Sequence, residues 1–200
     1  MPDRPSERVA QGGRPLTAPM TYVALLRAIN LGPKNKLPMP DLSRMFAEAG
    51  CRDVETYIQS ANVVFSATPD VSARLPELIA AQIEKRFRYQ VPVILRTAEQ
   101  VRNVVRNNPF LKDGAPEETL HVMFLADPPA LNRIRALDPD RSPPDAFAVM
   151  GQEVYLRLPN GVARSKLTNA YFDSKLGTIA TARNWRTVTA LLQLAEARQL

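Results

Sequence analysis

Apolar positions in the first half of the chain follow two spacings, one typical of strands and one typical of helices. Four mostly apolar or alternating runs predict strands, at Tyr22–Ala28, Val54–Ile58, Asn62–Phe65 and Val91–Thr97. Two stretches with apolar positions three and four residues apart predict helices, one opened by Pro40 and one over about Ser72–Phe87. The resulting order, β-α-β-β-α-β, is the split-βαβ arrangement of ferredoxin-like folds.

The second half repeats most of this order. Its periodicity predicts helices at Glu99–Arg106, Pro129–Leu137, Lys166–Leu176 and Trp185–Ala197. It predicts strands at Thr119–Ala126, Ala146–Met150 and Glu153–Leu158. A helix is expected where the fourth strand of the repeat would stand. We therefore predict an α+β fold of two ferredoxin-like (split βαβ) subdomains, residues 21–97 and 98–200, with mostly antiparallel sheets covered by helices on one face. The second subdomain is expected to end in two helices.

Residues 1–20 lack this periodicity. They contain four prolines and a Gly-Gly pair and almost no apolar pattern. Such a segment cannot bury enough apolar surface to offset the entropy lost on ordering. We predict a flexible tail that lies outside the fold.

Composition narrows the class of protein. The 200 residues are 45% hydrophobic and 23% charged, with one cysteine and one histidine. No apolar run approaches the roughly 20 residues of a membrane span, and no signal-peptide core follows the N-terminus. A single cysteine cannot form an internal disulfide or a cysteine-rich zinc site. These features favour a cytoplasmic protein that does not contact a membrane, and no cofactor or metal is predicted.

Positive charge is concentrated in two short stretches. The formal net charge is +6. Residues 27–36 contain three basic side chains and no acid, whereas residues 164–186 contain five basic side chains and only Asp173 as an acid. Basic stretches of this kind bind phosphate or carboxylate groups, but they also occur as solvated surface.

Three separated motifs in the chain resemble those of one known family. They are ALLRAINLG (24–32) with NK (35–36), TYIQSANVVF (56–65) and TARNWRTV (181–188). Together they resemble the bacterial domain-of-unknown-function family numbered 1697, over about Met20 to Leu194. The resemblance implies two α+β subdomains of ferredoxin-like character and no established activity.

The basic stretches and the first hairpin supply the candidate ligand-binding residues. A loop after a buried strand gathers polar groups over a rigid sheet, and arginines at a helix start favour an anion. We predict that these groups converge in a polar cleft that binds a phosphate-bearing small molecule, with ligand contacts from Arg27, Asn30, Lys36, Ser60, Asn62 and Arg183. The alternative interpretation is structural, because Ser60 and Asn62 also form turns and Asn184 also caps a helix.

Other function classes stay open at this point. Nucleic-acid binding is weakly supported, since aromatic residues make up only 6% of the chain. An enzyme with a site between the halves or a protein–protein interaction module would also fit such a fold. His121 lies in a predicted strand, and Cys51 follows a helix end without a catalytic partner nearby in sequence, so structural roles are favoured for both. Catalytic residues and the oligomeric state are not predicted.

The predicted tail can be tested by truncation. Deleting residues 1–19 is expected to leave the melting temperature essentially unchanged, because no buried apolar set is lost. Circular dichroism melts of the full-length and shortened chains measure this. A fall of several degrees would show that the segment docks on the fold.

Overall fold

A computed structural model of the chain describes residues 18–30, 35–59 and 62–198. Within these ranges, the first sheet contains β1 (Met20–Leu26), β2 (Arg52–Tyr57), β3 (Asn62–Ala67) and β4 (Val93–Thr97). The second sheet contains β5 (Leu120–Leu125), β6 (Ala146–Met150), β7 (Glu153–Arg157) and β8 (Ala180–Asn184). The helices are α1 (Met39–Glu48), α2 (Pro69–Phe87), α3 (Ala98–Arg106), α4 (Pro109–Lys112), α5 (Leu131–Arg135), α6 (Asn169–Leu176) and α7 (Trp185–Glu196).

The two sheets have the same topology. Their strand orders are β2-β3-β1-β4 and β6-β7-β5-β8, and the strand pairs are antiparallel throughout. In each half the first strand lies between the third and the fourth, as in a split-βαβ unit. The predicted α+β class with two ferredoxin-like halves is confirmed.

The prediction that a helix replaces the fourth strand of the second half is wrong. Ala180–Asn184 forms β8, which pairs with β5 from His121↔Asn184 to Leu125↔Ala180. The segment is short and contains no large apolar residue, so it lacks the usual composition of a strand. The chain therefore ends in the order α6, β8, α7.

Strand register gives the correspondence between the halves. Val23 of β1 pairs with Arg96 of β4, and Val122 of β5 pairs with Arg183 of β8. In each half the residue after this arginine caps the next helix, because the Thr97 side chain accepts from Gln100 N and the Asn184 side chain accepts from Thr187 N. Arg96 and Arg183 therefore occupy equivalent places in the internal repeat.

A central apolar layer joins the two halves. Alternate residues of each sheet face it, Val23 and Leu25 from β1 and Val122 and Phe124 from β5, together with Trp185 and the apolar stripes of α3 and α7. The outer face of the first sheet packs against α1 and α2, and that of the second against α5 and α6. The expectation of helices on only one face is wrong, because α3 and α7 fill the space between the sheets.

The predicted tail and the predicted subdomain boundary are compared with the structure as follows. Residues 1–17 of the predicted tail lie outside them, whereas Met20, its last residue, begins β1 opposite Ala67. The subdomain boundary at residues 97 and 98 stays a prediction; β4 passes directly into α3 there. No helix in the described part of the chain is long and apolar enough to cross a membrane.

The shared central layer predicts cooperative unfolding. Leu191 of α7 is buried there, so Leu191→Ala is expected to lower the free energy of unfolding by about 2–5 kcal/mol through the cavity it leaves. Urea denaturation followed by Trp185 fluorescence and by far-UV circular dichroism measures this, and both probes are expected to give one coincident transition. The control Leu78→Ala, on the exposed side of α2, is expected to cost about 0.5 kcal/mol. Two separate transitions would contradict a common core.

Candidate functional site

A cleft lies where the end of β1 meets β8. Its volume is about 390 Å³. It is lined by the segment that follows β1, the β2–β3 hairpin, the first residue of α6 and the junction of β8 with α7, including Arg27, Ile58, Asn169 and Arg183. Arg183 Nη2 donates to the Leu26 carbonyl at 2.7 Å. The two basic stretches of the sequence are therefore neighbours in space.

Arg183 carries a charge that no carboxylate in the described residues neutralises. Its Nε donates to Asn62 Oδ1 at 2.5 Å, and its Nη1 donates to Thr181 Oγ1 at 2.9 Å and to the Ala182 carbonyl at 2.8 Å. These acceptors and the Leu26 carbonyl are all neutral. Burial lowers the pKa of Arg183 from 12.5 to about 10, so the guanidinium still carries its charge at pH 7.

The guanidinium of Arg27 is held at Nη1 by an ion pair, while its Nε and Nη2 make no hydrogen bond within the described residues. Its Nη1 forms an ion pair with Asp173 Oδ2 at 2.5 Å, and Asp173 Oδ1 accepts from the Ala180 amide at 2.8 Å. No hydrogen bond engages Arg27 Nε or Nη2 within the described part of the chain. The side chain of Arg27 is 24% exposed. The Nε/Nη2 edge is the one that binds a planar or tetrahedral anion through two parallel hydrogen bonds.

The other predicted site residues have different positions. Asn62 is fully buried, and it holds Arg183 while its own amide donates to the Tyr57 carbonyl at 3.2 Å. Asn30 lies close by but is engaged structurally, donating to the Leu37 and Gln59 carbonyls and accepting from Leu37 N. Lys36 is exposed and is not among the residues that line the cleft. Ser60 lies outside the described residues.

Sequence reasoning missed Asp173 and Thr181 as parts of the site. Asp173 is the one acid of the basic stretch at residues 164–186, and this was the available signal. Its partner Arg27 is 146 positions away along the chain, which no local pattern reveals. Thr181 is a buried hydroxyl on a strand that was itself not predicted.

Backbone strain is concentrated at the mouth of the cleft. Ala28 and Ile58 both line it and have φ of 58° and 50°, and Asn30, whose side chain donates to the Gln59 carbonyl, has φ of 55°. The left-handed region is costly for a β-branched residue such as Ile58. Ile58 is also 51% exposed, so burial of its side chain does not compensate. Strain of this kind is often kept at binding sites, where surrounding contacts hold it.

The equivalent arginine of the first half provides an internal comparison. Arg96 Nη2 donates to the Leu125 carbonyl at 2.7 Å and Nη1 to the Leu95 carbonyl at 2.9 Å. These contacts reproduce those of Arg183 with Leu26 and Ala182. The Nε contact differs, because Arg96 donates to the Glu153 carboxylate at 2.8 Å and not to an amide oxygen. The charge of Arg96 is therefore neutralised by Glu153, whereas no carboxylate of the described residues neutralises the charge of Arg183.

Comparisons with known proteins bear on the family and the fold. A family model described as "Protein of unknown function (DUF1697)" matches residues 20–155. The chain belongs to this family. The predicted resemblance to DUF1697 is thus confirmed, and the matched residues include the first two of the three motifs. Among solved structures, a conserved bacterial protein, SP0830 from Streptococcus pneumoniae, is similar with a TM-score of 0.69 at 20% identity, covering 89% of this chain and 99% of its own. That likeness supports the fold, and no curated protein matches the chain significantly.

Two potential catalytic side chains of this DUF1697 protein lie elsewhere. His121 is half-buried on β5, where burial lowers its pKa and a hydrogen bond with the Thr119 backbone opposes that change. Cys51 is buried in the outer core of the first half. Neither lines the cleft. Within the described residues, no group of three or more His, Cys, Asp or Glu side chains is placed to hold a metal ion.

The environment of Cys51 predicts an unreactive thiol. Burial raises its pKa from 9.0 to about 11, so at pH 9 the folded thiol stays protonated while the unfolded thiol is about half ionised. Iodoacetamide labelling at pH 9 is therefore expected to be slow in buffer and fast in urea, as followed by mass spectrometry. Because the unfolded thiol ionises before the folded one, the free energy of unfolding is expected to fall as the pH rises from about 9 towards 11. Equal labelling rates in both conditions would contradict the burial.

Proposed function

We propose that this protein binds a phosphate-bearing small molecule in the cleft between β1 and β8. The observation that carries the proposal is Arg183, a half-buried guanidinium whose hydrogen bonds within the described residues all go to neutral acceptors. Desolvating a charge is costly unless an opposite charge compensates for it. An anionic ligand supplies that compensation, and it would raise the pKa of Arg183 back towards its ordinary value.

The position of the Arg27 side chain also supports the proposal. Asp173 restrains its Nη1 corner, which reduces the entropy lost when a ligand binds. The open Nε/Nη2 edge can then form two parallel charged hydrogen bonds to phosphate oxygens. The charges of Arg27, Asp173 and Arg183 sum to +1, and the N-terminus of α7 beside Asn184 adds partial positive charge. The proposed ligand contacts are therefore Arg27 and Arg183, with Asn62 and Asp173 as positioning residues.

The fold disfavours two of the other functions considered from the sequence, RNA binding and nucleophilic catalysis. Some proteins with a four-stranded sheet bind single-stranded RNA by stacking bases on a free sheet face. Helices cover both faces of both sheets in the described structure. The described lining of the cleft contains no thiol or imidazole, so ligand binding is favoured over nucleophilic catalysis. A cytoplasmic location stays a prediction of the sequence.

The proposal is tested by calorimetric titration with matched ligand pairs. Glucose 6-phosphate and adenosine monophosphate are the phosphate-bearing probes, and glucose and adenosine are their uncharged counterparts. At least one phosphate-bearing probe is expected to bind more tightly than its counterpart. Arg27→Ala is expected to weaken that binding by about 10- to 100-fold, the equivalent of losing charged hydrogen bonds worth roughly 1.5–3 kcal/mol.

The control variant is Arg44→Ala, which removes an exposed arginine of α1 that only approaches Asp41 at 3.8 Å. Its affinity for the same probe is expected to equal that of the wild type. Melting temperatures of both variants separate lost binding from lost folding. Equal binding of phosphorylated and unphosphorylated probes, or an unchanged affinity in Arg27→Ala, would overturn the proposal.

A further inference from the structure

The internal repeat places a second residue pair in equivalent positions. Asn62 opens β3 and pairs with Leu25, and Glu153 opens β7 and pairs with Phe124. Leu25 and Phe124 each lie two residues beyond the valine that pairs with the arginine of their sheet. Asn62 therefore holds Arg183 from the place that Glu153 occupies beside Arg96. The two sites differ at this place by one negative charge.

The consequence of that charge is visible in the second half. Arg96 is only 4% exposed at its side chain and Glu153 is 16% exposed, so the pair is closed off from most solvent. Glu153 satisfies the Arg96 Nε donor and neutralises its charge at the same time. In chemical terms Glu153 is a built-in anion, and an external anion has no uncompensated charge to bind there.

Asn62 satisfies the same donor without neutralising it. Its Oδ1 accepts from Arg183 Nε at 2.5 Å and its Nδ2 donates to the Tyr57 carbonyl at 3.2 Å. An amide is required for both contacts, since a carboxylate has no proton to offer the carbonyl. The side chain is fully buried and holds the guanidinium of Arg183, which lines the cleft.

We infer that Asn62 determines the charge selectivity of the cleft, by holding Arg183 in position while leaving its charge available to an anion. The inference rests on the proposed anion binding and assigns its selectivity to a positioning residue, which the ligand does not touch. A carboxylate at position 62 would act as an internal ligand and exclude an external one, as Glu153 does for Arg96.

The test compares two substitutions at position 62. Asn62→Asp keeps the shape and adds the charge but loses the bond to the Tyr57 carbonyl, whereas Asn62→Ala removes that bond and the contact with Arg183 and adds no charge. The probe is inorganic phosphate, titrated while the Nε–H signals of arginine are followed by NMR. Asn62→Asp is expected to weaken binding by about tenfold or more, because a full opposite charge lies beside the guanidinium. Asn62→Ala is expected to weaken it by only about two- to threefold through looser positioning.

Glu153→Gln is the matched control, since it changes the equivalent position of the other half by one charge. It is expected to leave phosphate affinity at the Arg183 cleft unchanged. Melting curves confirm that each variant is folded, and Asn62→Ala serves as the reference if Asn62→Asp is destabilised. Equal losses in Asn62→Asp and Asn62→Ala would overturn the inference and leave Asn62 a structural residue. Absence of phosphate binding in the wild-type protein would instead overturn the proposed function itself.

Discussion

The end of the first strand in each half is held by an arginine from the other half. Arg183 donates to the carbonyl of Leu26, and Arg96 donates to the carbonyl of Leu125. Carbonyls at a strand end have left their sheet and need another donor when they are buried. Both arginines immediately precede a helix cap. The helices α3 and α7 therefore begin beside these two hydrogen bonds and continue into the central layer. The packing between the sheets and these two arginine–carbonyl hydrogen bonds therefore depend on each other.

This arrangement separates structural and functional uses of one geometry. The charge of Arg96 is neutralised by Glu153, and this ion pair joins the two halves. Arg183 keeps the same backbone contacts, but its charge has no carboxylate partner among the described residues and lies at the cleft. A fold can carry such a charge at one place when the rest of its core is well packed.

Strain and charge coincide at this cleft. The left-handed residues Ala28 and Ile58 line it together with Arg183 and Thr181. The loop that carries Asn30 is tied to the hairpin through the Gln59 carbonyl at 2.8 Å. The cleft is thus formed by contacts that span the two halves, and its shape depends on the central layer being intact.

Periodicity in the sequence was sufficient for most helices and strands and for the α+β topology, because apolar spacing reflects which face of an element is buried and is a local property. The distribution of charge located the two basic stretches, and the polar residues of the first hairpin pointed to Asn62. It failed at β8, whose small and polar residues become a strand only by pairing with β5. Only the tertiary structure decided which charges are neutralised: Asp173 reaches Arg27 across 146 positions, and Asn62 reaches Arg183 across 121. Neutralisation depends on distances of a few ångströms between residues far apart in the chain, and such distances exist only once the two sheets have packed around their common core.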